Sequence, residues 1–423
     1  MGAVTADLQI AKPITLKCGL TLPNRLVKAA MVEAMGSGDN LPNEKITALY
    51  KRWAEGGWGM VLTGNVQVDA LYLGSPQDIA MDAAIPEATI IEAFSAYAQA
   101  AKGSANTPAV VQLNHPGRQS PLGAGRRGFL DKSLAPSAID LKLGNGMVAW
   151  LLTKLVFGTP RAMTATEIET VIEQFARGAR ISAEAGFAGV EIHAAHGYLL
   201  AQFLSASSNQ RTDAYGGSPE ARAKIVVDIV HAIRRATADH KNFCVGIKLN
   251  SVDHQSAADL RDCIAQLKLI TDAGVDFVEV SGGTYEDPQM MLGTKPVEEK
   301  KSDRTKVREA FFLEFARAIR SEFPNVHLMV TGGFRSRLGM EAAVASGDCE
   351  TVGLGRPAVL NPSLPHNIVF NPEISDADAT LYARKVEIPW IAKKLGMIGL
   401  GAGAVTKWYT SQMNEDVKQV VAN

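Results

Sequence analysis

Residues 191 to 198 read EIHAAHGY and place His193, His196 and Tyr198 within six positions of one another. Three chemistries are open to such a set: ligation of a metal, packing in a core, or donation to a substrate. Metal ligation lacks support, because HAAH has no glutamate of the HExxH kind and no second His/Cys/Asp/Glu group stands at a matching position. Core packing is ordinary for imidazoles whose nitrogens find partners. As donors, two imidazole N–H groups aimed at one carbonyl oxygen would form an oxyanion hole, stabilising the enolate that develops when a conjugated double bond is attacked. A phenol ordinarily titrates near about 10, so Tyr198 would carry a proton at neutral pH and could deliver it beside that carbonyl.

These residues need a frame. Short β-rich runs recur at 25 to 31, 59 to 65, 108 to 115, 189 to 195, 243 to 250, 276 to 283, 326 to 333 and 350 to 356, separated by stretches with helical periodicity. Gly186, Gly274 and Gly347 are placed to end the helices that precede three of them. Ser218 followed by Pro219 and Glu220 marks a helix start. Eight alternations predict an α/β fold of the (β/α)8 TIM-barrel class in a single domain over 1–423, with the barrel at about 25–370 and a helical tail at 371–423. No GxGxxG follows the first strand, which argues against an open dinucleotide-binding sheet.

Residues 14 to 22 read as a hairpin turning at Cys18 and Gly19 and closing the barrel floor. Residues 116 to 165 form a long excursion from the third strand at the catalytic rim. Within it, MVAWLLTKLVFG (147 to 158) is too short to span a bilayer. It reads as a lid or hairpin packed on the body, against the sharper alternative of a surface that touches lipid.

In a barrel the chemistry belongs at the C-terminal ends of the strands. There the chain offers many donors and few acids. Gly332, Gly333, Gly355 and Arg356 follow the seventh and eighth strands, where backbone amides and a guanidinium would hold a phosphate, unless the glycines only make tight turns. Gln112 and Lys248 would suit a flavin ring, the amide at its pyrimidine edge and the ammonium where the reduced ring becomes anionic.

At these residues the sequence resembles the old yellow enzyme family of FMN-dependent ene-reductases. The resemblance is strongest over 191 to 230 and extends through LPNRLVKAAM, VVQLNHPGRQS, FVEVSGGTYE and VTGGFRSR...GLGRP. It implies FMN bound by the Ala30, Met31 and Val32 backbone, Gln112, Lys248, Gly332, Gly333, Phe334, Gly355 and Arg356. It implies His193 and His196 as donors to a substrate carbonyl, Tyr198 as the proton donor and Tyr285 at the substrate. NADPH or NADH would reduce the flavin, and a small activated alkene would reoxidise it in a ping-pong cycle. Relatives carry His and Asn or two histidines in the donor pair. Val32 departs from the usual Thr or Cys, and Lys248 stands where many relatives have Arg.

Other readings remain beside this one: a flavin-dependent biosynthetic enzyme doing non-reducing or isomerising chemistry, an FMN-dependent 2-hydroxy acid oxidase, and, remotely, a metal-dependent barrel hydrolase. Near-neutral net charge, −1, and the lack of a basic run give no support to nucleic-acid binding. Four scattered cysteines without a CxxC pair suggest neither zinc ribbon nor iron–sulfur cluster. The expectations are no metal, a cytoplasmic location, no stable membrane insertion, and a homodimer or larger homo-oligomer.

Overall fold

Each of the eight β-rich runs contains a parallel strand, and the strands close on themselves. The computed structural model describes residues 7–144, 146–251, 257–281, 315–387 and 398–421. Counting barrel strands only, β1 is Leu26–Lys28, β2 Met60–Gln67, β3 Ala109–Asn114, β4 Gly189–Ala194, β5 Cys244–Asn250, β6 Phe277–Ser281, β7 Leu328–Thr331 and β8 Thr351–Leu354. Neighbours in sequence pair in parallel throughout, and β8 pairs with β1 through Gly353 and Val27, which leaves no open edge.

Among the described residues, the helices include α1 Glu44–Ala54, α2 Glu87–Lys102, α3 Met147–Phe157, α4 Ala165–Glu184, α5 Leu199–Leu204, α6 Pro219–Ala236, α7 Ala257–Asp272, α8 Arg337–Ala345, α9 Arg356–Leu360 and α10 Ile398–Val421. Local chemistry sets their ends. The Ser218 hydroxyl accepts from the Ala221 amide with Pro219 in the first turn of α6, as its sequence predicts. Gly186, Gly274 and Gly347 have φ of 91°, 101° and 77°, the left-handed values expected of residues that turn the chain from helix to strand.

The interior is layered by the two-residue period of strands. At the floor, Val27, Met60, Val110, Phe277 and Met329 pack with Leu16 and Leu22 from the hairpin, whose strands pair Ile14 with Leu22. The floor also brings together what the sequence scatters: one ligand-type atom each from Cys18, Cys244 and Asp276 lie within 4.8 Å of one another. Asp276 is already engaged there, accepting from Arg234 at 2.7 Å and from the Val245 amide at 2.7 Å.

The excursion after β3 holds a short strand pair, Leu134–Ala135 with Arg161–Ala162, and helix α3. Of the lid or hairpin expected to pack on the body, the hairpin needs correction. The segment is a helix bounded by Gly146 and Gly158, and it buries only Ala149 and Thr153. Its apolar run has neither alternation nor a single large apolar stripe, so the small face packs inward and the large side chains face out. At the other end of the chain, α10 lies against the first βα unit: Thr410 Oγ1 donates to the Val32 carbonyl at 3.2 Å, and Asp416 pairs with Arg52 at 3.2 Å.

Candidate active site

Strand periodicity places two polar layers above the apolar floor. The lower layer holds Gln112, Glu191, Lys248 and Glu279, and the upper holds His193, Asn250 and Ser281, each two residues further along its strand. In the lower layer, Gln112 Nε2 donates to Glu191 Oε2 at 2.6 Å and Lys248 Nζ lies 2.6 Å from Glu279 Oε1. All four side chains are buried.

Two carboxylates so close cannot both ionise cheaply. Burial, with the neighbouring Glu279 charge behind it, pushes Glu191 well above the usual carboxylate range. Burial alone would raise Glu279 as well, but the Lys248 ammonium and a hydrogen bond from Glu191 outweigh it and hold Glu279 below its ordinary value. The layer therefore carries one proton on Glu191 and one ion pair between Lys248 and Glu279.

Above it, the β4 strand delivers His193, and the chain then turns sharply. His196 has φ of 58° and Gly197 φ of 72°, consecutive left-handed residues. A histidine pays a strain of order 1–3 kcal/mol for that conformation unless its surroundings fix it. They do so from both sides: the His196 amide donates to Asn250 Oδ1 at 3.1 Å, and Gln119 Nε2 donates to the His196 carbonyl at 2.8 Å. The turn feeds Tyr198 into the N-cap position of α5, where its carbonyl accepts from the Gln202 amide.

The three rings meet as the spacing suggests. His193 and Tyr198 stand edge to face with centroids 4.8 Å apart, and His193 and His196 likewise at 5.0 Å. The imidazoles, however, face each other instead of converging on a third point. His193 Nε2 lies 3.0 Å from His196 Nδ1, and His196 Nε2 lies 3.3 Å from Ser281 Oγ. Burial, followed by the charge of Lys248, depresses His196 to about 3. Burial, followed by His196 and then Lys248, holds His193 well below its usual value. Both rings are neutral at pH 7, so each has one N–H to give. His193 Nδ1 is buried without a hydrogen-bond partner among the described residues.

Across the barrel mouth, Gly332 and Gly333 at the end of β7 have φ of 115° and 82°, followed by buried Phe334. Gly355 ends β8 and caps α9, which begins with Arg356. A Cβ on Gly355 would sit 3.0 Å from Met31 Sδ, so a larger residue here would press on the Met31 side chain. Bare backbone beside a guanidinium is a donor set that fits a phosphate. Tyr285 lies outside the described residues.

Residues 9–371 match the family described as NADH:flavin oxidoreductase / NADH oxidase. The chain belongs to that family. It is 56% identical over 402 residues to NADH-dependent flavin oxidoreductase iliE of Neonectria sp. (strain DH2), a match covering 93% of this chain and 52% of the relative, so the chain spans about half that relative's length. It is 50% identical over 395 residues to iliE of Hypocrea jecorina (strain QM6a), covering 93% of this chain and 97% of the relative. It is 49% identical over 411 residues to iccE of Talaromyces variabilis, covering 96% and 98%. In fold it resembles morphinone reductase, with a TM-score of 0.66 at 22% identity over 86% of this chain and 90% of that one.

The protein is thus an NADH:flavin oxidoreductase, with FMN and a reduced nicotinamide as cofactors. The residues that position His196, namely Asn250, Ser281 and Gln119, were not among the expected site residues, and neither were Glu191 and Glu279. The signal for the two glutamates was present: Glu191 stands two residues before His193, and Glu279 two before Ser281, on the same strand faces.

Proposed function

We propose that this enzyme reduces the C=C bond of a small α,β-unsaturated carbonyl compound. When bound, FMN supplies the hydride, taken from the nicotinamide. The residues that would hold it are the Ala30 to Val32 backbone, Gln112, Lys248, Gly332, Gly333, Phe334, Gly355 and Arg356. The single observation that carries the reading is the placement of the Tyr198 ring 4.8 Å from the His193 ring, beside His196 at the barrel mouth.

The chemistry of this chain's own residues follows. A substrate carbonyl oxygen replaces the mutual contact of His193 and His196, and each neutral ring then turns its one N–H to it. Neutral rings suit this task, because they stabilise negative charge on the oxygen without surrendering a proton to it. Tyr198 Oη delivers a proton to the carbon beside the carbonyl. Ser281, Asn250 and Gln119 hold His196 in place, and Lys248 keeps positive charge beneath the site.

NADH is the favoured reductant, since the Neonectria, Hypocrea and Talaromyces relatives are named as NADH-dependent. A cytosolic setting suits Cys18, Cys244, Cys263 and Cys349, all free thiols. A second reading, isomerisation by proton transfer without net reduction, is favoured by Val32, which brings neither hydroxyl nor thiol to the flavin side while the proton-handling side is intact.

Anaerobic reduction of the purified flavoprotein by NADH and by NADPH, followed by reoxidation with enones, enals, nitroalkenes and oxygen, separates the two. Rapid reoxidation by an enone supports alkene reduction. A flavin that NADH cannot reduce, with deuterium still exchanging into an enone from D2O, supports isomerisation instead.

A further inference from the structure

Helix α3 is built inside out. Its body-facing line is Ala149 and Thr153, whereas Met147, Trp150, Leu151 and Leu155 are 81%, 53%, 51% and 65% exposed. The patch continues into the preceding loop. The Leu122 amide donates to the Val156 carbonyl at 2.8 Å, and Gly123 lies against the ring of Phe129, which with Leu130 is largely exposed. Large contiguous apolar patches on a protein surface mark interaction sites.

The occupant is constrained by size and charge. A helix of eleven residues is about 16 Å long and about 10 Å wide, a footprint on the order of 200 Å². A stable protein–protein interface takes about 800 Å² from each partner, so the helix alone is too small for one. It is also too short to cross a bilayer, and among the described residues no helix is long and apolar enough to do so. An interfacial helix needs only a few large side chains between headgroups and acyl chains, with Trp at the boundary.

Charge favours the same surface. Between residues 121 and 160 stand five basic residues against two acidic ones; Arg127 is buried and Arg126 pairs with Asp82 at 2.6 Å, whereas Lys132 and Lys142 are exposed. Within α3 the one charge, Lys154, is drawn to Asp140 at 2.7 Å. The outward apolar face is therefore uncharged, and Lys132 and Lys142 are the exposed cations of the surrounding segment that could meet anionic headgroups.

We propose that α3 and the adjoining Phe129–Leu130 loop dock this enzyme on the surface of a phospholipid bilayer, peripherally and without spanning it. The excursion leaves β3 at Asn114, five residues before Gln119, the side chain that holds the His196 carbonyl, meets α3 again at Leu122, and so places the docking surface at the barrel mouth. Docked this way, the mouth would draw apolar substrates from the membrane interface. The docking residues themselves are distinct from His193, His196 and Tyr198.

Flotation of the full-length holoenzyme with phosphatidylcholine vesicles, and with vesicles containing a quarter phosphatidylserine, tests this. The expected result is co-flotation, stronger with phosphatidylserine, that falls at least tenfold in the Trp150→Ser, Leu155→Ser double variant with FMN content and melting temperature unchanged. Protein that stays at the bottom of the gradient with both lipids overturns the proposal, and so does flotation that the double variant retains. A self-association seen by sedimentation velocity and lost in that variant, without flotation of the wild type, would assign the patch to a second copy instead. Should the double variant fail to fold, Leu151→Lys alone carries the same expectation, since it places a charge on the outward face.

Discussion

His193 Nε2 lies 3.0 Å from His196 Nδ1, so the two imidazoles are each other's partner before a substrate arrives. Their spacing in sequence suggests a ready-made pair of donors; in the proposed function a carbonyl oxygen would displace this mutual contact. Replacing His196 by Asn keeps a donor and shortens the side chain, and should retain most activity on an enone. Replacing it by Ala should weaken binding of phenolic ligands and lower the alkene half-reaction by about 10² or more. Equal phenol affinity in wild type and His196→Ala would remove His196 from the carbonyl site.

Asn250 acts through His196. Its Oδ1 accepts the amide of a histidine held at φ of 58°, so Asn250→Ala releases the turn that orients the ring. The expected outcome is a loss of about tenfold in kcat for the alkene half-reaction, an unchanged rate of flavin reduction, and recovery in Asn250→Asp. A matching loss in both half-reactions would mark Asn250 as structural only.

Acid should destabilise the fold through its buried histidines. Burial depresses His115 to about 4 and His327 and His196 to about 3. Their folded values lie below the ordinary imidazole value of about 6.5, so the unfolded chain binds protons first. Stability is full above about pH 6.5 and is lost as pH falls toward 4, by up to about 1.4 kcal/mol per pH unit for each group. His115 Nδ1 accepts from the Gly117 amide at 3.0 Å, which fixes it as an acceptor. Melting temperatures recorded between pH 7.5 and 4 should therefore fall less steeply in His115→Gln, and an unaltered slope would contradict this assignment.

Much of this architecture was legible in sequence because barrel strands carry local signals. A glycine with positive φ precedes β4, β6 and β8, and the runs behind them are fully buried. The meeting of the His193, His196 and Tyr198 rings was legible because one strand end and the turn after it carry all three. Asn250, Ser281 and Gln119 were not, since each is a lone polar residue on a different element and only closure of the barrel brings them to His196. The same holds for Cys18 and Cys244, which are far apart in sequence. The outward face of α3 was hidden for another reason: an apolar run without periodicity does not say which side is buried.

Val32 offers its carbonyl to Thr410 of α10, and in the proposed FMN placement its side chain brings no polar group to the flavin. Val32→Thr restores a hydroxyl there and should change the rate of flavin reduction or of reoxidation by several-fold. Unchanged rates for both half-reactions would show that this position does not tune the flavin.

The central claim is that Tyr198 delivers the proton in alkene reduction, and separating the two half-reactions of Tyr198→Phe by anaerobic stopped-flow tests it most directly. Flavin reduction by NADH should proceed at nearly the wild-type rate, while reoxidation by an enone should slow by about 10² or more. Equal slowing of both, or reoxidation as fast as wild type, would contradict it.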